Sequence, residues 1–169
     1  MTDPHDPKDV EARLWKEIEH NRNGMLGLVG VEHHHHFQPM TAFAEPEAGQ
    51  IWFFTRDTTE LAEAVAAEGA PHAMLIVSSK DQDIQACLGG TLTLSHDAAR
   101  IDRFWNAAVA AWYPDGKDDP HLTLLRLDLD SAAVWLHEAG PVRFAFEIAR
   151  ANMTGREPNL GDRANVQFN

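Results

Sequence analysis

The chain has 169 residues, 44% of them hydrophobic, which fits one globular domain with a buried core. Its net charge of −12 argues against nucleic acid or an anionic membrane as a partner. The single cysteine, Cys87, excludes an intramolecular disulfide, and no apolar run reaches the roughly 20 residues of a membrane span. With a charged N-terminal segment, these features predict a cytoplasmic protein.

The first half of the chain predicts one helix followed by short strands. Residues 8–21 carry apolar side chains at helical spacing, and Asn23-Gly24 ends that helix. Three apolar runs with short connecting loops then predict an antiparallel meander. They cover residues 25–31, 34–43 and 51–55.

A helix is predicted next, with Asp57 as its N-cap and Gly69 as its end. Residues 73–79 read as a central strand. Residues 83–94 alternate between apolar and polar side chains, and Gly89-Gly90 suits a sharp bend of a barrel strand.

The second half predicts two further helices and two strands. Ser95 is expected to cap a helix that carries Trp105 and Trp112 on its apolar face. Two strands are then expected over 122–129 and 132–137, with a tight turn at Asp130-Ser131. A last helix is expected to carry an apolar face, which consists of Val142, Ala145, Phe146, Ala149 and Met153.

Six or seven mostly antiparallel strands with inserted helices indicate an α+β, mainly β, fold. A small closed barrel would remove the exposed sheet edges. We therefore predict a single domain over residues 1–169. Its parts are a barrel core at 8–137, a C-terminal helix at 141–154 and a loose tail at 155–169.

The histidine run His33–His36 raises the possibility of a metal site. In a strand, neighbouring side chains point to opposite faces, so at most two of the four can meet one ion, whereas zinc sites need three or four ligands. The other histidines are scattered, and no metal site is predicted. A ligand-facing histidine and a histidine-based metal protein remain as alternatives. No dinucleotide, nucleoside triphosphatase or serine-hydrolase motif is present.

Several stretches, in order, resemble one family. They are "GMLGLV" (24–29), "FQPM" (37–40), "IWFFTRDTTELAEAV" (51–65), "LGGTLTLSHDAARIDRFW" (88–105) and "AWYPDGKDDPHLTLLRLDLDSAAVWL" (111–136). The most specific part runs from Trp112 to Pro120. Together they resemble the general stress protein 26 branch of the pyridoxamine 5'-phosphate oxidase-like, FMN-binding split-barrel proteins.

The resemblance implies a six-stranded antiparallel split β-barrel with flanking helices. It also implies a homodimer that binds FMN in a cleft at the dimer interface, with the histidine run in the second strand. Oxidoreductase activity is left open, and no residue stands out as a catalytic acid or base. The cofactor-binding residues implied are Gln38, Pro39, Met40, Phe53, Phe54, Thr55, Arg56 and Thr59, with Trp112 from the partner chain.

Two departures from the family pattern concern the flavin phosphate. The family commonly has Arg where this chain has Gln38, and Lys near the positions of Glu60 and Leu61. Arg56, the nearby threonines and a helix N-terminus can replace part of that charge. The Arg-containing substrate motif of a true pyridoxamine 5'-phosphate oxidase is not visible. The alternative function is therefore a flavin-free split barrel with a binding or structural role in stress.

Overall fold

The computed structural model describes residues 6–137, 140–158 and 161–168, apart from the side chains of residues 141 and 143. Five α-helices occur in these ranges: α1 (Pro7–Asn21), α2 (Glu60–Glu68), α3 (Ala98–Phe104), α4 (Ala107–Ala110) and α5 (Pro141–Thr154). The strands there are β1 (Asn23–Leu28), β2 (Gln38–Thr41), β3 (Phe43–Glu45), β4 (Gln50–Arg56), β5 (His72–Ser78), β6 (Ile84–Ser95), β7 (Leu122–Leu136) and β8 (Asp162–Gln167). No helix in these ranges is long and apolar enough to cross a membrane.

The strands form one antiparallel sheet in the order β2-β1-β5-β6-β7-β4-β3, and β8 pairs with β7. This sheet curls into a half-barrel, so the predicted mainly β, split-barrel class is confirmed. The strand number differs slightly from the six expected, because the second predicted strand is divided into β2 and β3 and because β8 was not predicted.

Helix α1 begins and ends where the sequence predicts. The Asp6 side chain caps it by accepting a hydrogen bond from the Lys8 amide at 2.9 Å, and Pro7 suits the first turn, where no amide donor is needed. The apolar face of the helix is buried against the sheet. Arg22 then ends the helix in the left-handed region at φ 54°, with its amide bonded to the Ile18 carbonyl.

Strands β6 and β7 form the longest ladder of the sheet. The predicted turn at Asp130-Ser131 is wrong, because β7 runs without a break through both residues. The pairing of β6 with β7 shifts between Gly89 and Gly90, which leaves Asp130 of β7 without a direct partner in β6. A Cβ atom on Gly90 would collide with the Asp128 carbonyl, so the bend requires glycine there.

Other local predictions also need correction. The histidine run is not a strand: residues 31–37 form a loop in which His33 has φ 70°. Thr59 and Asp97, rather than Asp57 and Ser95, cap helices α2 and α3. The expected loose tail instead contains strand β8, which pairs with residues Ser131–Leu136 of β7.

Two apolar clusters divide the interior. The barrel core is mainly aliphatic and is built from all strands together with α1 and α2. A smaller group, here called the aromatic cluster, lies between β3, β4 and the segment 101–113. It consists of Phe43, Trp52, Val109, Tyr113, Leu122 and Leu124, with Phe54, Ile101, Phe104 and Trp105 packed against them.

Candidate functional site

A cavity of about 690 Å³ lies beside the aromatic cluster, within the size range of small-molecule sites. Its walls come from the end of α1, from β2 and β4, and from the segment 106–113. The lining residues are Arg22, Gln38, Pro39, Met40, Thr41, Phe43, Phe54, Thr55, Arg56, Thr59, Asn106, Ala108, Val109, Trp112 and Tyr113. None of these side chains carries a negative charge, in contrast to the acidic chain as a whole.

Hydroxyl groups and an arginine form one end of the cavity, here called the threonine end. The Thr55 and Thr59 hydroxyls lie 3.1 Å apart, and the Thr59 hydroxyl also caps α2 by accepting from the Ala62 amide. The Arg56 guanidinium donates to the Trp112 carbonyl at 2.9 Å and to the Asp119 carboxylate at 3.3 Å. These polar groups are therefore held in place before any ligand arrives.

Aromatic rings form the floor of the cavity. Phe43 packs edge-on against Phe54 at 5.5 Å between ring centroids, and Phe54 lies 6.4 Å from Tyr113. The Arg56 guanidinium lies 5.3 Å above the Tyr113 ring. Burial raises the pKa of Tyr113 to about 12, since the Arg56 charge only partly opposes this effect and Asp119 adds to it. The phenol therefore keeps its proton at physiological pH.

Arg22 lies at the other end of the cavity, here called the Arg22 end. Its guanidinium carbon is 5.6 Å from the centre of the Phe43 ring, and its Nε donates to the Glu19 carbonyl at 3.3 Å. The Arg22 carbonyl accepts a hydrogen bond from the Ala42 amide at 2.7 Å, which fixes the backbone next to the end of β2. The two arginines thus stand at opposite ends of a floor made of aromatic rings.

A buried carboxylate closes the aromatic cluster on the side away from the cavity. Glu45 accepts hydrogen bonds from Arg100, Arg103 and the Trp52 indole at 2.9 to 3.0 Å. Burial alone would raise the pKa of Glu45, but the bonds from Arg100 and Trp52 and the two positive charges outweigh burial and lower the pKa. Glu45 therefore stays ionised and ties α3 to β3 and β4.

The structure brings most of the predicted site residues to this one cavity. Gln38, Pro39, Met40, Phe54, Thr55, Arg56, Thr59 and Trp112 all line it. Phe53 does not, because its side chain is fully buried in the barrel core. Trp112 lines the cavity of its own chain, whereas the resemblance implies the partner's Trp112 at that place.

The two positions that match the family's lysine, residues 60 and 61, have different surroundings. Glu60 is exposed and does not line the cavity, so its charge acts from outside. Leu61 is buried in the barrel core and cannot hold a phosphate. Only residue 60 therefore remains as a place where a lysine could approach the threonine end.

Several lining residues were missed by sequence reasoning. Arg22 shows no motif signal, because it looks like an ordinary charged residue at a helix end. Tyr113 lies within the family-specific stretch from Trp112 to Pro120 and Asn106 lies six residues before it, so this stretch could have indicated both. Asn106 caps α4 by accepting from the Ala108 and Val109 amides, and so holds the wall that carries Trp112.

The histidine run lies outside this cavity. His34 and His35 instead border an open depression of about 520 Å³ beside Val29 and Phe37. In the described ranges, no group of three or more His, Cys, Asp or Glu side chains is placed to hold a metal ion. The loop carrying these histidines therefore has no part in the geometry of the candidate site.

Comparison with known proteins identifies the family. A family model described as "Pyridoxamine 5'-phosphate oxidase like" matches residues 9–159. General stress protein 26 of Bacillus subtilis (strain 168) is 23% identical over 124 residues, which is 72% of this chain and 84% of that protein. The residues that the family model matches include both walls of the cavity and the long β6–β7 ladder.

Solved structures show the same fold. A crystal structure assigned to general stress protein 26 from Jannaschia sp. CCS1 has a TM-score of 0.77 and 36% identity, and covers 96% of this chain and 100% of its own. The general stress FMN/FAD binding protein from Xanthomonas citri has a TM-score of 0.70 and 43% identity, over 79% of this chain and 92% of its own. The cavity, the fold and these relationships together show that the chain belongs to the pyridoxamine 5'-phosphate oxidase-like family, in its general stress protein 26 branch.

Proposed function

We propose that this protein binds a flavin, FMN, in the cavity between β2, β4 and the segment 106–113. The observation that carries the proposal is the cavity itself: a floor of aromatic rings with preorganised hydroxyl and guanidinium groups at one end. A relative from Xanthomonas citri that is 43% identical is described as an FMN/FAD binding protein. Membership of the family supports the same ligand class.

The residues present fit both halves of FMN. A flat ring system gains from stacking and from burial of apolar surface, which Phe54, Tyr113 and the exposed Trp112 offer. A phosphate gains from hydroxyl and guanidinium donors near a helix N-terminus, which the threonine end and α2 offer. Ring and phosphate would therefore occupy adjoining parts of one cavity.

Arg56 replaces only part of the charge that the family's Arg and Lys supply. Its guanidinium is already bonded to Asp119 at 3.3 Å, so a phosphate must share it with that carboxylate. Gln38 donates to the Met40 sulfur at 3.5 Å and can offer a neutral amide donor. We therefore expect a flavin affinity that depends less on the phosphate than in relatives with both basic residues.

A bound flavin would supply electron or hydride transfer, and the side chains described here would bind and orient it. The threonine hydroxyls would hold the phosphate end, the aromatic floor would support the ring, and Trp112 would help to exclude water from it. None of these groups is placed as a general acid or base. Oxidoreductase activity with an external donor is the reaction class that follows from this arrangement.

The first test is a visible absorption spectrum of tag-free protein, followed by titration with FMN and with riboflavin. A bound-flavin spectrum, or saturable FMN binding, is expected. Riboflavin lacks the phosphate, so the ratio of the two affinities measures what the threonine end contributes. Absence of binding by either flavin would overturn the proposal.

Glu60→Lys gives a sharper test of where the phosphate lies. A lysine at residue 60 would restore a cation beside the threonine end and should raise FMN affinity roughly tenfold or more, with little change for riboflavin. The matched control is Glu63→Lys, which makes the same charge change at an exposed position one turn along α2. Equal gains in both variants would show only a general charge effect and would refute the phosphate placement.

The second candidate function is a flavin-free split barrel that binds another small molecule or serves a structural role. The lack of a basic residue at Gln38 and Glu60 and the Arg56–Asp119 ion pair favour it. Under this alternative, the protein would be colourless and would not respond to added FMN. The same titration therefore separates the two functions.

We also propose that the protein acts as a homodimer. The apolar face predicted for α5 is not buried within the chain: Val142 and Met153 are 85% and 87% exposed, and Phe146 is 64% exposed. A contiguous apolar surface of this kind usually marks an interface. Met25 and Ile76, directly paired on neighbouring strands, add an exposed apolar patch on the sheet that a second copy could cover.

Light scattering coupled to size-exclusion chromatography tests the dimer. Phe146→Asp places a charge in the exposed face of α5 and should shift the protein towards monomer. Asn152→Asp makes the same charge change at another exposed position of α5 and should leave the mass unchanged. A wild-type protein of monomer mass would contradict the proposal.

A further inference from the structure

The Arg22 end of the cavity has a positive charge with no role in the flavin proposal. Arg56 shares its charge with Asp119, whereas the ion pairs of the described residues include none for Arg22. The bond from its Nε to a backbone carbonyl adds no negative charge. No carboxylate lines the cavity. An anion entering this end would therefore meet a guanidinium whose charge is not neutralised.

Arg22 is held in position, although its side chain is exposed. Its amide and carbonyl are both bonded within the fold, to Ile18 and Ala42, and its guanidinium packs over the Phe43 ring. The left-handed backbone at φ 54° turns the chain from α1 directly into β1. A fixed backbone and an aromatic support reduce the entropy that a mobile arginine would lose on binding an anion.

The row of aromatic rings separates Arg22 from the threonine end. Arg22 lies over Phe43 and Arg56 lies over Tyr113. Phe54 packs between these two rings, 5.5 Å from Phe43 and 6.4 Å from Tyr113. The two guanidinium groups therefore rest on different rings of the floor. If the flavin phosphate occupies the threonine end, Arg22 remains available to another group.

We propose that Arg22 forms an anion subsite for a second small molecule, one that carries a carboxylate or phosphate and rests against the aromatic floor. This inference rests on the proposed function, because the second molecule would be the reaction partner of the bound flavin. Arg22 would orient it by pairing with its anionic group. The subsite selects for charge, since an uncharged analogue of the same shape would lose that pair.

The probes are benzoate and its neutral analogue benzamide, with phenyl phosphate to separate carboxylate from phosphate recognition. Binding is followed by calorimetry and by ligand-detected NMR, on protein saturated with FMN and on flavin-free protein. Arg22→Gln removes the charge and keeps hydrogen-bonding capacity. Arg163→Gln is the matched control, because Arg163 stacks on Trp135 and does not line the cavity.

We expect wild-type protein to prefer benzoate or phenyl phosphate over benzamide roughly tenfold or more, and Arg22→Gln to abolish most of that preference. The Arg163→Gln control should keep both this preference and the FMN affinity of the wild type. No anion binding, no preference in the wild type, or a preference that survives Arg22→Gln would overturn the subsite.

Two further outcomes separate this inference from the proposed function. A large loss of FMN affinity in Arg22→Gln, with riboflavin unaffected, would mean that Arg22 holds the flavin phosphate, and the subsite assignment would fall. If neither flavin binds but flavin-free protein shows the Arg22-dependent preference, the subsite stands and the flavin proposal fails.

Discussion

Phe53 and Phe54 are neighbours in β4, yet they belong to two regions with different roles. Phe53 is fully buried among the aliphatic side chains of the barrel core. Phe54 points to the opposite face, where it joins the aromatic cluster and lines the cavity. The alternation of a single strand therefore separates the region that stabilises the fold from the region that can bind a ligand.

The two regions also differ in how they are closed. The barrel core is continuous and lined by apolar groups from every strand. The aromatic cluster is open to the cavity on one side and held by the ionised Glu45 on the other. Substitutions in the two regions should therefore affect stability and ligand binding in different proportions.

The largest effect is expected from Phe53→Ala. Loss of a fully buried ring should lower the free energy of unfolding by about 3–5 kcal/mol, with little change in the flavin affinity of the protein that remains folded. Phe54→Ala should lower stability less, but should weaken flavin binding. Urea unfolding and flavin titration of the two variants measure both quantities, and equal ratios of the two effects would contradict the comparison.

Glu45→Gln should give the next largest effect, about 1–3 kcal/mol of lost stability at neutral pH, because the two arginines lose their carboxylate partner. Since the folded-state pKa of Glu45 is lowered, its contribution is present above the usual carboxyl pKa and disappears as pH falls through the folded-state value. The difference between wild type and variant should therefore shrink in acid.

The control for this variant is Glu47→Gln, at an exposed position two residues away. Its unfolding midpoint at neutral pH should match that of the wild type, because Glu47 has no part in the Glu45 bonds to the two arginines. If the free energy of unfolding of Glu45→Gln stays below that of the wild type by the same amount down to strongly acidic pH, the lost stability comes from packing rather than from charge.

Trp112→Ala should leave stability within about 0.5 kcal/mol, because the ring is 77% exposed and the carbonyl that binds Arg56 remains. Loss of stacking on a bound flavin should weaken its affinity about three- to tenfold. Trp135→Ala, on the other exposed tryptophan and outside the cavity, should leave affinity unchanged. A destabilised Trp112→Ala protein would mean that this ring belongs to the folded core of the assembly.

Tyr113 should give the smallest effect near neutrality. It is the chain's single tyrosine, so absorbance at alkaline pH follows its ionisation alone, and the folded protein should titrate near pH 12. The pKa of Tyr113 is raised on folding. Its contribution to the free energy of unfolding is therefore fully present below the ordinary tyrosine pKa and is lost as pH rises through the pKa of the folded state. Tyr113→Phe should remove that alkaline loss, and an ordinary phenol titration would refute the burial argument.

Much of the fold was predictable because it depends on local patterns. The helical spacing of Val10, Leu14 and Ile18 identified α1, and the alternation over 83–94 identified β6. The family pattern of Trp112 to Pro120 placed the cavity wall. Burial of the same side chains confirms the α1 and β6 patterns, whereas Trp112 lines the cavity while it stays largely exposed.

The rest depended on partners that local patterns do not reveal. Asp130-Ser131 resembled a turn because the bulge exposes a charged residue within a long strand. Strand β8 has one buried apolar residue, Val166, and otherwise looks like a tail. Arg22 lines the cavity because the pairing of β1 with β2 places the end of α1 beside β2. Phe53 lies outside the cavity because neighbouring side chains of a strand point to opposite faces of the sheet.

The contrast between an acidic protein and a cavity that carries two arginines has a kinetic consequence. An approaching anion first meets the repulsive field of a chain with net charge −12 and only then the local attraction. Salt screens the long-range field first, since the screening length is about 10 Å at 0.1 M. Moderate ionic strength should therefore speed the entry of an anion, which is the reverse of the behaviour of a basic binding protein.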